Sequence, residues 1–361
     1  MVMQTFGLTP ERVGITRARI LKNALPRITL GTIGENDNFD KNSGRVMKFR
    51  RYLADGQTAS QPNRFFPDGA GDRAQAFANS YLASEGVTPP AGSISSQDIT
   101  TTLNHYTILK GYTKDTFDMY EDDIPKQMTE KVGQTIGLVN EMVLFGVAKG
   151  CTNRFYGGTG VDRATVNDAI SLPLLRRIAR SLAANHAVTV TKMLQKMPAS
   201  GNYATSPIEG ACFPVFVSTD LHPDIRNLPG FLHVKSYSDG SKALPNEFGA
   251  CEEFRFFSSP ELIGVQSGGA AVTTCLRDLQ STDGVNADVY QVIVASQDAW
   301  THVGLNLSDD SISALPPGQK DKADPTGVRG FVGADWYYNA ALLNQLQMAV
   351  VEVGTDALKH A

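Results

Sequence analysis

Two stretches near the front of this chain alternate apolar and polar residues with the period of a β-strand, and a long unpatterned segment holds them apart. In "GRVMKFRRYL", Met47, Phe49 and Leu53 fall on one face and Val46, Lys48, Arg50 and Tyr52 on the other, because successive strand side chains alternate. The alternation returns in "ITTTLNHYTILKG", with Leu103, His105 and Leu109 opposite Asn104, Tyr106, Ile108 and Lys110. Strands are therefore expected near 45–53 and 99–111. Residues 54–97, 44 positions rich in Gly, Ala, Ser, Asn and Pro, show no recognisable helix or strand. Such a composition cannot bury enough surface to order itself, and compact enzymes rarely carry a structureless loop of that length. Its order has to come from a neighbour.

The strongest helical signal follows. Phe117, Tyr120, Ile124, Met128, Val132, Ile136, Val139, Val143 and Val147 recur about once per helical turn and form one stripe over 114–149. Asp115, Asp118, Glu121, Asp122 and Asp123 crowd its front, where the helix dipole favours negative charge. A continuous helix would span about 50 Å. Pro125 must kink it or mark a break. A second helix is expected over 171–186, with Ser171 as cap, Pro173 in the first turn and Leu174, Leu175, Ile178 and Leu182 buried, leaving Arg176, Arg177 and Arg180 outside. Beyond Pro198 the runs "ACFPVFVST", "CEEFRFF", "AVTTCLRD" and "VYQVIVASQDAW" read as strands, and "DLHPDIRNLPG" as a short helix. The first 44 residues, broken by Pro10 and Pro26, read as an arm. The order is arm, long hairpin, long helix and a mixed α+β body.

Composition narrows the function classes. The 361 residues carry a net charge of -4, so bulk attraction to nucleic acid is excluded and any DNA contact must be local. The start lacks the apolar core of a secretory signal, and no run approaches a membrane span, so a soluble, intracellular chain is expected. Cys151, Cys212, Cys251 and Cys275 include no CxxC pair, which fits reduced, buried thiols.

Catalytic motifs are weak. "GGTG" at 157–160 lacks the Gly-Lys-Ser/Thr ending of a phosphate loop and fits a turn after the long helix. "DKNSG" at 40–44 has its glycine one place early for a calcium loop, and Arg51 stands where the bidentate Glu belongs. Histidines 105, 186, 222, 233, 302 and 360 show no ligand spacing, and there is no GxSxG elbow. His222 is expected to cap or pack beside the short helix. Neither a metal nor a cofactor is expected, nor an enzyme.

The basic strand "GRVMKFRRY", then "SEGVTPP" leading into "DITTTLNHYTILKGYT", the acidic start of the long helix, "STDLHPDIRNL", and the ending "DPTGVRGFVGADWYYNAALLNQLQMAVVEV" occur together and in order. In these features the chain resembles the major capsid proteins of tailed phages related to the enquatrovirus (N-four-like) podoviruses, whose fold is the HK97-type capsid fold. The likeness runs over nearly the whole length from about residue 44. It implies an N-terminal arm (1–44), an extended E-loop (45–111) lying across the adjacent subunit, and a peripheral domain (112–165) built on a spine helix. A mainly axial domain with interleaved peripheral strands (166–327) and C-terminal strands returning to the body (328–361) complete it.

The resemblance implies self-assembly into the hexamers and pentamers of an icosahedral head around double-stranded DNA. It implies a portal and a separate scaffolding protein, since 44 residues are too few for a fused scaffold, and it leaves room for a cement protein. No membrane is involved; the chain is expected in the virion, assembled in the host cytoplasm. On this reading Lys48, Arg50, Arg51 and Lys110 make the E-loop basic and meet Glu121, Asp122 and Asp123 of a neighbouring spine across the subunit boundary, where charge sets register and burial supplies adhesion. Arg176, Arg177 and Arg180 are candidates to touch packaged DNA through weak, non-specific phosphate contacts. A solvated face or subunit contact is the preferred account of them. The alternatives are a hydrolase with a lid at 54–97, and a tail or fibre protein, which should show repeats or heptads that are absent here.

Overall fold

A computed structural model describes residues 3–4, 27–40, 42–65, 71–88, 92–120, 123–196, 203–237, 243–305, 312–320 and 324–358. Two sheets and a separate hairpin carry the fold. In the first sheet the strand Arg329–Leu342 is central. Asn104–Thr113 pairs antiparallel along one edge of it, and Trp300–Leu305 and Ile312–Leu315 share the other. Glu35–Phe39 lies parallel to Trp300–Leu305, and Met3–Gln4 adds a short parallel pairing at Gly111 and Tyr112.

The second sheet runs in the order Arg154–Tyr156, Ala349–Val353, Tyr290–Val294, Tyr203–Ser218, Phe254–Ser259, Glu247–Cys251 and Leu232–His233. Val190–Lys196 folds back on the start of Tyr203–Ser218. The central strands Tyr290–Val294 and Ala349–Val353 are buried at every position, so they read as mostly apolar runs, interrupted by Gln291 and Glu352, instead of alternating ones.

The long helix Ile124–Ala148, about 38 Å at the usual rise, joins the two sheets. Val132 and Ile136, with Met128, Val139 and Val143 beside them, pack on Tyr112, Val332, Ala334, Trp336 and Tyr338 of the first sheet. Its last turns, Leu144, Phe145 and Ala148, pack with Phe216, Phe257, Ile293 and Val350 of the second, sharing a core with Trp300. One helix thus fixes two sheets. The second sheet's other face is covered by the helix Leu172–Ala184, whose Leu174, Leu175, Ile178 and Leu182 are buried as expected.

Several expectations needed correction. The helix does not run unbroken from 114. Lys114–Met119 is a separate turn, Tyr120 is extended, and Asp123 caps a new helix by accepting the Lys126 N–H at 3.2 Å. Pro125 sits in that helix's first turn, where its missing N–H costs nothing and its ring disfavours helix before it. Phe117 and Tyr120 are consequently exposed instead of joining the stripe.

The strand expected over 99–111 is two strands, Ser95–Thr102 and Asn104–Thr113, which serve different sheets. Residues 54–97 include a helix, Gly71–Ser80, formed by good helix formers without an apolar stripe, which periodicity does not detect. "AVTTCLRD" is loop with one 3-10 turn, Val272–Thr274, whose amides bond neighbouring loops, as Val272 N–H does to Val285 O at 2.9 Å.

Ser171 stands at the cap position but its side chain makes no capping bond. Part of the expected arm belongs to the body. Leu30 and Ile33 are buried in the core shared with Trp300, and Glu35–Phe39 is a sheet strand.

Candidate assembly surface

The hairpin pairs Val46–Leu53 with Ser95–Thr102, Val46 opposite Thr102 and Leu53 opposite Ser95. Burial alternates along the first strand as its sequence pattern demands. Met47 and Phe49 rest on Phe39, Leu103 and Val303, tying the hairpin's base to the first sheet, while Val46 and Tyr52 face outward and are exposed. Asn339 adds a polar tie, donating from Nδ2 to Thr102 O at 2.5 Å.

The register brings Asp98 opposite Arg50. Its carboxylate accepts from Arg50 Nε at 2.7 Å and Nη2 at 3.1 Å, and Lys48 Nζ lies 2.8 Å away. Hydrogen bonds from Arg50 and then Lys48 hold the Asp98 carboxyl well below the usual carboxylate range. Two of the cations expected to bind a neighbour are thus engaged within their own hairpin. Asp98 lies one residue before the strand expected over 99–111; the observed strand Ser95–Thr102 includes it.

Arg51 points to the opposite face. It donates from Nη1 to Asn63 Oδ1 at 3.2 Å and from Nη2 to Leu343 O at 3.4 Å, and desolvation lowers its pKa. Lys110 is not in the hairpin at all; it lies in the first sheet, opposite Val332. Glu121 and Asp122 lie outside the described residues, and Asp123 serves as the helix cap. The expected meeting is one between neighbouring copies; within one chain Lys48, Arg50 and Arg51 lie in the hairpin, Lys110 in the first sheet and Asp123 at the helix cap.

Beyond the hairpin strands, residues 75–88 are exposed throughout except for the half-buried Phe77. Phe77 and Tyr81 pack edge to face at 5.0 Å, and the Tyr81 hydroxyl donates to Asp55 at 2.5 Å. Leu82 is 73% exposed and Ile94 78%. A second exposed apolar group lies at the far end of the first sheet, where Lys114 N–H bonds Val328 O, Tyr112 bonds Leu315 O and the Tyr112 and Phe117 rings meet. Phe117, Leu315 and Val328 are all about half exposed there. The sequence displays these residues but not their adjacency.

On the helix Leu172–Ala184, Arg176 Nε donates to Glu252 Oε1 at 2.9 Å and the Arg177 guanidinium lies 5.3 Å from the Phe155 ring centre. Arg180 is exposed and makes no partner contact among the described residues.

Buried polar groups serve structure. Glu352, fully buried, accepts from Arg154 Nη1 at 2.9 Å, Arg163 Nη2 at 2.7 Å and Gln291 Nε2 at 3.2 Å, so a desolvated carboxylate is matched by cations. Glu141, on the long helix, takes the Thr29 and Leu30 N–H groups at 2.8 Å and the Thr29 hydroxyl at 3.1 Å on Oε1, and the Gly31 N–H at 3.1 Å on Oε2. Burial pushes its carboxyl up, and the four donors work against that.

Trp300 Nε1 and His302 Nε2 both donate to Ile33 O, at 2.8 and 2.9 Å, leaving His302 Nδ1 to accept from Tyr338. This is the neutral imidazole, and burial lowers its pKa. Burial raises the Cys151 and Cys212 thiols to about 11, the opposite of an activated nucleophile. His222 stacks on Phe248 at 4.2 Å with its Nε2 enclosed. The "GGTG" stretch is a turn hugging the 167–168 loop: Gly157 N–H bonds Glu352 O, and a Cβ at Gly158 would lie 2.1 Å from Asn167 Oδ1. Among the described residues no group of three His, Cys, Asp or Glu is placed to hold a metal, and no helix is long and apolar enough to cross a membrane.

A projecting hairpin, a long helix bridging two sheets and exposed apolar groups at both ends define the HK97-type fold of phage capsid proteins, and solved structures agree. The capsid of the cyanophage Pam1 superposes with a TM-score of 0.63 at 10% identity, covering 98% of this chain and 99% of that one. The capsid of Ralstonia phage GP4 does so at 0.57 and 10%, covering 98% and 100%. In sequence, the chain is 24% identical over 276 residues to the major capsid protein of Pseudomonas phage KPP21, an alignment spanning 69% of this chain and 66% of that protein. No family model matches.

Proposed function

We propose that this chain is the major capsid protein of a tailed phage, with a structural and not a catalytic role. Many copies close into hexamers and pentamers of an icosahedral head that encloses double-stranded DNA. The observation that carries this is the hairpin insertion: residues 75–88 hold the C-terminal part of the helix Gly71–Ser80 and several large apolar side chains with almost no burial against their own body. A second copy is the natural cover, since heterologous contacts repeated around a ring close a shell. The half-exposed group around Phe117, Leu315 and Val328 offers a receiving surface of matching character. Obligate contacts of this kind bury about 2,000–5,000 Å² in total.

Charge takes a smaller part than the sequence alone implies. Asp98 leaves the hairpin's outer face with one net positive charge, so register with an acidic neighbour rests on Lys48 and Arg50 jointly with Asp98. Reversing Lys48 and Arg50 also breaks the hairpin's own pairs. Reversing Asp122 alone, which leaves the Asp123 cap of the long helix in place, is the cleaner probe of the cross-subunit contact. Arg180, with Arg176 and Arg177 engaged by Glu252 and Phe155, is the best remaining candidate for weak contact with packaged DNA. A portal, a separate scaffolding protein and a cement protein complete the proposed partners, and kinship with N-four-like capsids rests on the motif order alone.

Negative-stain microscopy of the purified full chain tests the reading. Shells, hexamers or sheets of hexamers are expected. A small discrete oligomer with residues 75–88 protected in the monomer would overturn it.

A further inference from the structure

The limb that follows the first hairpin strand is hydrogen-bonded to the body at Asn63. Asn63 and Asn344 face each other amide to amide: Asn63 Nδ2 donates to Asn344 Oδ1 at 2.6 Å, and Asn344 Nδ2 donates back to Asn63 Oδ1 at 2.8 Å. A concerted flip of both amides would preserve this pairing, so the donor that selects the orientation is Arg51 Nη1 at Asn63 Oδ1. Arg51 closes the group from the hairpin strand itself, donating to Asn63 Oδ1 and to Leu343 O. Asn63 is 8% exposed, although the residues around it, from 54 to 60, are mostly open to solvent. Two residues further, Phe65 meets His186 edge to face at 6.3 Å, just past the end of the helix Leu172–Ala184.

The location matters as much as the bonds. Asn344 follows Arg329–Leu342, the central strand of the first sheet, and precedes Ala349–Val353, a central strand of the second, so it sits where the chain crosses between the two sheets. The hairpin's base is held by Met47 and Phe49 and by Asn339. A rigid ribbon needs a second, off-axis attachment before its tilt is fixed. The amide pair supplies that attachment.

We infer that Arg51, Asn63 and Asn344 form a lock that fixes the inclination of the hairpin on its body, and that releasing it lets the hairpin adopt a range of tilts. This rests on the capsid reading for its consequence: when the hairpin lies on the next copy, its tilt sets the angle between copies and hence the curvature of the assembly. The three are positioning residues. Mutual satisfaction of the two amides makes the lock switch-like: loss of Asn63 leaves both the donor and the acceptor of Asn344 without this partner, and loss of Asn344 orphans the buried Asn63 donor.

The test uses the full-length chain with Asn344→Ala, Asn63→Ala and Arg51→Lys, and Val350→Ala as a control that loosens the shared core without removing a hydrogen bond of the lock. In the unassembled chain, amide exchange of residues 54–65 is expected to quicken about tenfold in Asn344→Ala, the equivalent of one net hydrogen-bonded contact, with the Ile124–Ala148 helix unchanged. After assembly, the lock variants should give a broadened spread of particle diameters or open curved sheets, while Val350→Ala particles keep the parental diameter. Unchanged exchange in 54–65 overturns the lock. Quickened exchange with parental particle diameters overturns its link to curvature. If the parental chain forms no shells at all, the capsid reading fails, and the exchange measurement still decides whether the lock exists.

Discussion

The Glu141 tether makes the sharpest demand on the structure. A single carboxylate on the long helix takes three consecutive backbone N–H groups, Thr29 to Gly31, plus the Thr29 hydroxyl, where the chain enters the core. Thr29 and Leu30 are fully buried, so no solvent stands ready to replace the acceptor. Replacing Glu141 by Met keeps most of the volume and removes the acceptor. Each orphaned buried N–H costs about 1–3 kcal/mol, and relief of the carboxylate's own desolvation returns several kcal/mol, so a net loss of about 2–4 kcal/mol is expected.

Urea unfolding followed by the fluorescence of Trp300 and Trp336 reads the loss, because both indoles sit in the cores the helix joins. Exchange of the 29–31 amides should rise together with it. A loss below about 0.5 kcal/mol, with those amides still protected, would refute the claim that Glu141 holds the segment.

Three further outcomes follow from the same geometry. The Asp98 carboxyl, depressed by Arg50 and Lys48, supports the hairpin above the ordinary carboxylate pKa near 3.8 and loses that role as pH falls through its depressed value. Carboxyl NMR should show it titrating below the other exposed aspartates, and Asp98→Asn should speed exchange in 46–53 at neutral pH. His302 is held neutral by burial, so the unfolded chain takes up the proton first, and stability should fall as pH drops below about 6.5. His302→Gln should flatten that slope between pH 6.5 and 5 in thermal melts, and an unchanged slope would discard the assignment. Gly34 has φ +107°, and a Cβ there would stand 2.6 Å from the Trp300 ring, so Gly34→Ala should lower the melting temperature by several degrees through strain and overlap at once.

Much of the architecture was legible because burial leaves a periodic trace. The stripe from Met128 to Val143, the four buried residues of Leu172–Ala184 and the alternation of Val46–Leu53 all face where their spacing places them. The missed features share the lack of such a trace. The helix Gly71–Ser80 is mostly exposed where its side chains are described, so it carries propensity without a stripe, and the change of sheet at Leu103 interrupts no pattern because both strands alternate. Residues 30–39 looked like arm because a single strand entering a sheet from afar has too few positions to show a period.

Local order is what the amino-acid pattern determined by itself: which faces are apolar, that Pro125 must kink or break the long stripe, and that the segment after Leu53 lacks the means to build its own core. Partnership was decided only in three dimensions. Asp98 meets Arg50 across 48 positions, Asn63 meets Asn344 across 281, and Glu141 meets Thr29 across 112. Hydrogen bonds and ion pairs act over a few ångströms and depend on direction, so residue type declares the capacity for them, while the packing of sheets and helix decides which groups arrive within reach.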